Sequence, residues 1–190
     1  MKQFFRVRYK WQSVYYHFQR WSKDGSWENI WTLILEKYKY LLDMSSIQLD
    51  GTHTPAKRGG EAVAYQGRKR SKTSNMLIIT DAQGIALTCS KPIAGNHNDA
   101  FKLVENVDKM LSNIRFSNIS TKGLFLNADA GFDTKQFRKS CFKNDIIDNI
   151  DKNKRNGEEN ESIFDELLYK QRFVIERTNA WLDAFKAILV

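Results

Sequence analysis

The stretch LFLNADAGFD, residues 124–133, limits the folds open to this chain more than any other. Leu124, Phe125 and Leu126 form an apolar run suited to a buried strand, and such strands belong to sheets covered on both faces. Asn127 and Asp129 follow at once on one side of that strand, and Gly131 ends it. A carboxylate carried to the tip of a core strand needs a turn that solvates it or a task that uses it.

A second strand shows the same pattern. In SIQLD, residues 46–50, Ile47 and Leu49 face one way while Ser46, Gln48 and Asp50 face the other. The spacing predicts that Asp50 ends this strand, with a polar insert over residues 51–74. The insert sets Lys57, Arg58, Arg68, Lys69, Arg70 and Lys72 against a single acid, Glu61. NMLIIT, the turn DAQG and IALTCS then read as a β-hairpin. Residues 99–112 predict an amphipathic helix capped by Asn98 or Asp99. Strand 124–129, a short helix capped by Asp133 or Thr134, strand 145–150 and a polar loop over 151–162 follow. A last helix runs from about residue 164. Ahead of all this, residues 11–21 have helical spacing. Residues 24–43 read as a helix with Asp24 or Ser26 as N-cap and Ile30, Leu33, Ile34, Lys37 and Leu41 along one side. The order predicts an α/β fold: a mixed sheet with flanking helices behind a small helical unit.

Composition narrows the function. With 190 residues and 42% apolar content, the chain is long enough for one domain with a sizeable core. No apolar run approaches the roughly 20 residues of a membrane helix, and MKQFFRVRYKW carries no signal-peptide pattern. The expectation is a cytoplasmic protein with no membrane partner. Cys89 and Cys141 have neither metal-ligand nor redox spacing, which predicts two reduced thiols. Thirty Lys and Arg against 22 Asp and Glu give a net charge of +8, which suits a polyanionic partner.

On the last helix, at 100° per residue, Arg172, Glu176, Asn179 and Asp183 share a polar face with Tyr169 at its edge. Val174, Trp181, Leu182, Phe185 and Ile188 take the opposite side. The simplest reading of that face is a surface helix with an Arg172–Glu176 pair. The other reading gathers Asp50, Asp129 and Glu176 at one sheet edge. Three carboxylates there would repel unless a divalent cation neutralised them, and Mg2+ takes such hard oxygen ligands. Two ions roughly 3.5–4 Å apart would clamp the attacking and leaving oxygens of a phosphodiester. Against this, Asp50 and Asp129 are also good turn formers before glycine. Asp133 reads as a helix cap, Asp81 as a turn residue and His97 as a loop histidine. His53 is placed to touch DNA or to position the strand end.

The strings QLDGTHTPAKRGG, ITDAQGIALTCSKPIAGNHND, LNADAGFDT and RFVIERTNAWLDAF, in that order, resemble the DDE transposases of bacterial insertion sequences. The likeness is strongest to the fifth numbered insertion-sequence family and its relatives. WQSVYYHFQRWSKDGSWENIW is similar to the tail of the helical DNA-binding region that precedes the catalytic domain there. The resemblance implies residues 1–44 as a partial helical DNA-binding region and residues 45–190 as an RNase H-like catalytic domain. It implies Asp50, Asp129 and Glu176 as the catalytic and metal-binding triad, with two Mg2+ or Mn2+ ions and no nucleotide cofactor. Tyr169 and Arg172 match residues that contact DNA near the cleavage site; with Arg177 and the basic insert they are the expected DNA contacts. Where the family often has a basic residue seven positions after the glutamate, this chain has Asp183. The implied reaction is transposition: water attacks a phosphodiester at the element's end, and the freed 3′-hydroxyl attacks target DNA. Double-stranded DNA is the implied partner, with a homodimer pairing two ends in the bacterial cytoplasm at the nucleoid. The family's members usually have more helical sequence before residue 1 and continue past Val190. A chain truncated at both ends is therefore expected, and an inactive remnant that only binds DNA is the alternative.

Overall fold

The computed structural model describes residues 10–56, 60, 62–153 and 164–184. Two helices lead, α1 (Trp11–Lys23) and α2 (Ser26–Tyr38). Between them Gly25 takes φ +78°, a conformation glycine adopts without penalty. The Asp24 carboxylate accepts from the Ser26 N–H at 3.0 Å. Rings on the two helices meet edge to face, Trp21 against Trp27 at 5.6 Å. The side of α2 that carries Ile30, Leu33 and Ile34 is exposed, Leu33 at 63%, and Leu41 beyond it is 56% exposed. Leu35 is the buried residue of α2, and the Trp31 indole donates to the Leu87 carbonyl at 2.8 Å. A different face of the helix is therefore the one that docks.

The sheet has seven strands: β1 (Ser46–Pro55), β2 (Ala64–Gln66), β3 (Ser71–Thr80), β4 (Ala86–Cys89), β5 (Ile93–Ala94), β6 (Phe125–Ala128) and β7 (Ile147–Ile150). Its main path runs β2-β3-β1-β6-β7, with β4 and β5 also paired to β3. β1 is antiparallel to β3 and parallel to β6, and β6 is parallel to β7. This is the mixed sheet with flanking helices that was expected. The polar insert is a correction. β1 does not stop at Asp50; it continues to Pro55 and stays paired with β3 as far as Pro55↔Thr73. Thr52 and His53 are both buried there, on opposite faces of the strand, so a stretch that reads as polar loop still forms a ladder.

Helix α3 spans Leu103–Phe116, and α4 spans Lys135–Lys143. Leu103, Val107, Met110, Leu111 and Ile114 of α3 and Phe137 and Cys141 of α4 cluster with Ile47, Leu49, Leu77, Ile79, Leu126 and Ile150 of the sheet. Each fully buried aliphatic contributes on the order of 1.5–3 kcal/mol. Burial pushes the Cys141 thiol up to about 12. Thr134 caps α4 by accepting from the Phe137 N–H at 3.2 Å. Asp133 pairs instead with Arg138, which also bonds Asp148. Asp81 is buried and accepts from the N–H groups of Gln83, Ile85 and Asp43, so the expected turn residue also ties the turn to the chain ahead of β1.

The last helix is not continuous. It divides into α5 (Glu166–Lys170) and α6 (Phe173–Ala184), with Gln171 and Arg172 in the turn between. One angular projection therefore does not hold from Tyr169 to Asp183. The buried residues of α6 are Val174, Ile175 and Thr178, while Trp181 is 59% exposed. Phe185 and Ile188 lie outside the described residues.

Candidate active site

The sheet face opposite the apolar core carries a row of polar side chains. Asn127 of β6 donates to the Gln48 Oε1 of β1 at 2.9 Å, and Asn149 of β7 donates to the Asn127 Oδ1 at 2.7 Å. The row also grips the segment above it. Asn127 donates to the Leu168 carbonyl at 3.1 Å, and Asn149 exchanges two bonds with the Asp165 backbone. Buried amides left unpaired cost about 1–3 kcal/mol each, so the row favours one seating of α5 on the sheet. Helix α6 then crosses β1 and reaches the β3–β4 turn. There the Thr178 hydroxyl donates to the Gly84 carbonyl at 2.6 Å and Arg177 donates to the Gln83 carbonyl at 2.7 Å.

Asp50 and Asp129 follow directly on Leu49 and Ala128, the last paired residues of two adjacent parallel strands. β6 ends there and β1 does not, so Asp50 projects from a strand that has lost one neighbour. Asp129 is exposed and caps the short turn after β6 by accepting from the Ala130 N–H at 2.7 Å. Glu176 lies in the first turn of α6, its side chain 61% exposed.

One guanidinium links two of these acids. Arg172 stands 3.1 Å from Glu176 and 3.8 Å from Asp50, and its side chain is only 16% exposed. The ion pair that the surface-helix reading anticipated is therefore present, with Glu176 exposed and Arg172 largely covered and reaching Asp50 as well. Burial is the main force on Asp50 and pushes it up to about 6. The Gly51 N–H and Arg172 oppose that rise, while the charges of Asp99 and Asp129 add to it. Among the described residues no three His, Cys, Asp or Glu side chains gather closely enough to hold one metal ion. The acids border one region, with Arg172 between Asp50 and Glu176.

The donor chemistry fits a hard divalent cation. Asn179, one turn after Glu176, donates to Asp50 Oδ2 at 3.0 Å, and its own Oδ1 is buried with no partner. An orphaned amide oxygen beside Asp50, together with the oxygens of Asp50 and Asp129, is the kind of set Mg2+ takes.

The remaining expected residues divide by location. Tyr169 lies under Arg172, whose guanidinium carbon is 5.8 Å from the ring centre. Arg177 faces Gln83 and the Trp181 ring rather than the acids. Arg68 and Arg70 are exposed in the β2–β3 turn, and Lys72 is exposed at the start of β3. Lys72 stands six residues along β3 from Ile78, the partner of Asp50, roughly 20 Å at strand rise, and Arg70 and Arg68 stand further out. Lys69 donates to the His53 carbonyl at 2.8 Å. Lys57 and Arg58 lie outside the described residues.

His53 does not reach the surface. It is 7% exposed, contacts Thr73 Oγ1 at 3.2 Å, and lies 3.7 Å from Asp99. Asp99 itself is not a helix cap, since α3 begins four residues later. It accepts from the Asn75 amide at 2.8 Å and lies against Gly51, where any Cβ would collide with its carboxylate. Sequence reasoning missed Asp99, Asn75, Asn149 and the contact of Asn179. The one signal available was the glycine straight after Asp50, which marks a close approach.

Comparison with known proteins adds three findings. A family model described as "Transposase DDE domain" matches residues 36–188. No curated protein matches the chain. Among solved structures, the chain is similar to a cryo-EM structure of a piggyBac transposase synaptic complex with hairpin DNA. The TM-score is 0.43 and the identity 16%, over 60% of this chain and 24% of that one.

Proposed function

Since the chain belongs to the transposase DDE domain family, matched over four-fifths of its length, we propose that it is the strand-cleaving and strand-joining core of a DNA transposase. The observation that carries this reading is the placement of Asp50 and Asp129 directly after the paired ends of two parallel strands, with Arg172 from the α5–α6 turn and Asn179 of α6 both reaching Asp50 and Glu176 beside Arg172. Asp50, Asp129 and Glu176 would hold Mg2+ or Mn2+, two ions at full occupancy. Such ions neutralise charge on the phosphodiester and polarise its attacking and leaving oxygens.

The chain's own groups supply position. Asn179 orients the Asp50 carboxylate through one hydrogen bond from its side-chain amide. The amide row of Gln48, Asn127 and Asn149 fixes the segment that bears Tyr169 and Arg172. Arg172 and Tyr169 face the DNA strand near the scissile phosphate, and the basic tip of the β2–β3 turn holds the backbone further out. In-line phosphoryl transfer depends mainly on such positioning and charge neutralisation. The partner is double-stranded DNA, with two chains pairing two element ends.

The test uses duplexes carrying the genomic sequences that flank the coding region. Purified protein with Mg2+ or Mn2+ is expected to nick these ends and join them to a target plasmid. Asp129→Asn is expected to reduce both steps to background while melting at the same temperature. Full activity in Asp129→Asn refutes the assignment. One observation favours a second reading, a remnant that binds DNA without cutting it: Glu176 is held by Arg172 and the acids do not close on one point. Tight binding of end DNA with no nicking in either metal would select that reading.

A further inference from the structure

The side chain between the acids is a cation. Arg172 sits 3.8 Å from Asp50 and 3.1 Å from Glu176, with only 16% of its side chain exposed. Asp50 feels the charges of Asp99 and Asp129 as well, so this guanidinium is the positive charge nearest a concentration of negative ones. We propose that Arg172 is the site's internal counter-cation: it holds Asp50 and Glu176 apart from metal until a DNA phosphate draws it away. The proposal rests on the metal-site reading above and adds an order of events to it.

The exchange follows from guanidinium chemistry. Arg172 lies in the turn between α5 and α6, a break in the helix rather than its middle. Its partners are both anions, and one of them, at 3.8 Å, is held loosely. A phosphodiester offers the same planar fork two oxygens, the geometry arginine binds best. Moving Arg172 onto DNA leaves Asp50 and Glu176 without their cation, and a divalent ion is then attracted where it had been repelled. DNA and metal thus bind cooperatively through one side chain. Linkage requires the effect to be mutual: the factor by which DNA tightens metal binding is the factor by which metal tightens DNA binding. A free enzyme with this design takes up its cofactor poorly until it meets a DNA backbone, whatever the sequence.

The experiment is a Mn2+ titration followed by electron paramagnetic resonance, with and without a short duplex, on the full chain. Wild type is expected to bind Mn2+ weakly alone and on the order of tenfold more tightly with duplex. Arg172→Gln is expected to bind Mn2+ tightly without DNA and to gain little from duplex. Arg172→Lys keeps the charge and is expected to remain weak alone. Lys170→Gln, the same loss of charge at an exposed position on α5, is expected to behave as wild type. Circular dichroism and melting confirm that each variant is folded. The proposal is overturned if Arg172→Gln alone binds Mn2+ no more tightly than wild type, or if duplex tightens both by the same factor. Equal gains in Lys170→Gln and Arg172→Gln also overturn it, by reducing the effect to net charge. Asp50→Asn separates the two levels: if it leaves Mn2+ binding unchanged, the metal site itself lies elsewhere and both readings fall. If it abolishes binding while Arg172→Gln has no effect, only the counter-cation is lost.

Discussion

Burial lifts Asp50 to about 6, so at neutral pH the metal-free protein keeps a charged carboxylate in a place that favours the protonated acid. A folded-state pKa above the unfolded value of 3.8 means the native state binds the proton more tightly. The penalty is absent below about pH 4, grows as pH rises towards 6, and is complete above that. Asp50→Asn should therefore stabilise the metal-free chain at pH 7–8 by about 1–3 kcal/mol. The gain should shrink to nothing as pH falls from 6 to 4, and urea titrations across that range check it. The same substitution should abolish strand cleavage, so stability and activity move in opposite directions at one residue. Asp50 lies within β1, paired opposite Ile78, so it does not act as a turn former. Thr134 makes the contrast: its hydroxyl caps α4, and Thr134→Ala should cost about 1 kcal/mol with cleavage unaffected.

At the level of elements, the seat of α5 and α6 on the polar sheet face controls the site. Asn149→Ala removes two bonds to Asp165 and one to Asn127, and should cost about 1–3 kcal/mol. Hydrogen exchange should quicken at residues 165–172 first, ahead of α3. Where the first half of α6 meets the β3–β4 turn, Gly84 has φ +91°, and a Cβ there would stand 3.0 Å from the Val174 carbonyl oxygen and 3.1 Å from the Thr178 hydroxyl. Gly84→Ala is expected to lower the melting temperature and lift α6 from the β3–β4 turn. An unchanged melting temperature would contradict the packing described. The strands that hold the acids were legible because Ile47/Leu49 and Leu124–Leu126 alternate or run apolar in the expected periods. The length of β1 was not, because Thr52, His53 and Thr73 are buried polar residues whose partners lie in another strand. The break before Phe173 was hidden for a related reason: local helical spacing continues through Gln171 and Arg172, and the amide row that seats α5 comes from three distant strands. Asp129 was found from its own short context, whereas Asp99 was taken for a cap because its partner, Gly51, is 48 residues away.

For the whole molecule, two exposed regions differ in chemistry. The exposed basic residues Arg68, Arg70 and Lys72 occupy one tip, while α1 has no buried residue and exposes Trp11, Tyr15, Tyr16 and Phe18. No helix among the described residues is long and apolar enough to cross a membrane. Replacing Arg68, Arg70 and Lys72 with Gln should flatten the dependence of DNA affinity on salt. Each lost phosphate contact lowers the log–log slope by about 0.9, so a change of roughly 1–3 is expected in fluorescence anisotropy titrations. An unchanged slope would move the DNA path away from that tip. The central claim, that three distant acids share divalent ions, has its most direct test in a crystal structure of the chain with Mn2+ and end DNA, read by anomalous scattering. The account predicts manganese peaks between Asp50 and Asp129, with Glu176 turned in from Arg172 and Arg172 on a phosphate. Manganese peaks remote from Asp50 and Asp129, with DNA seated in the crystal, would contradict it.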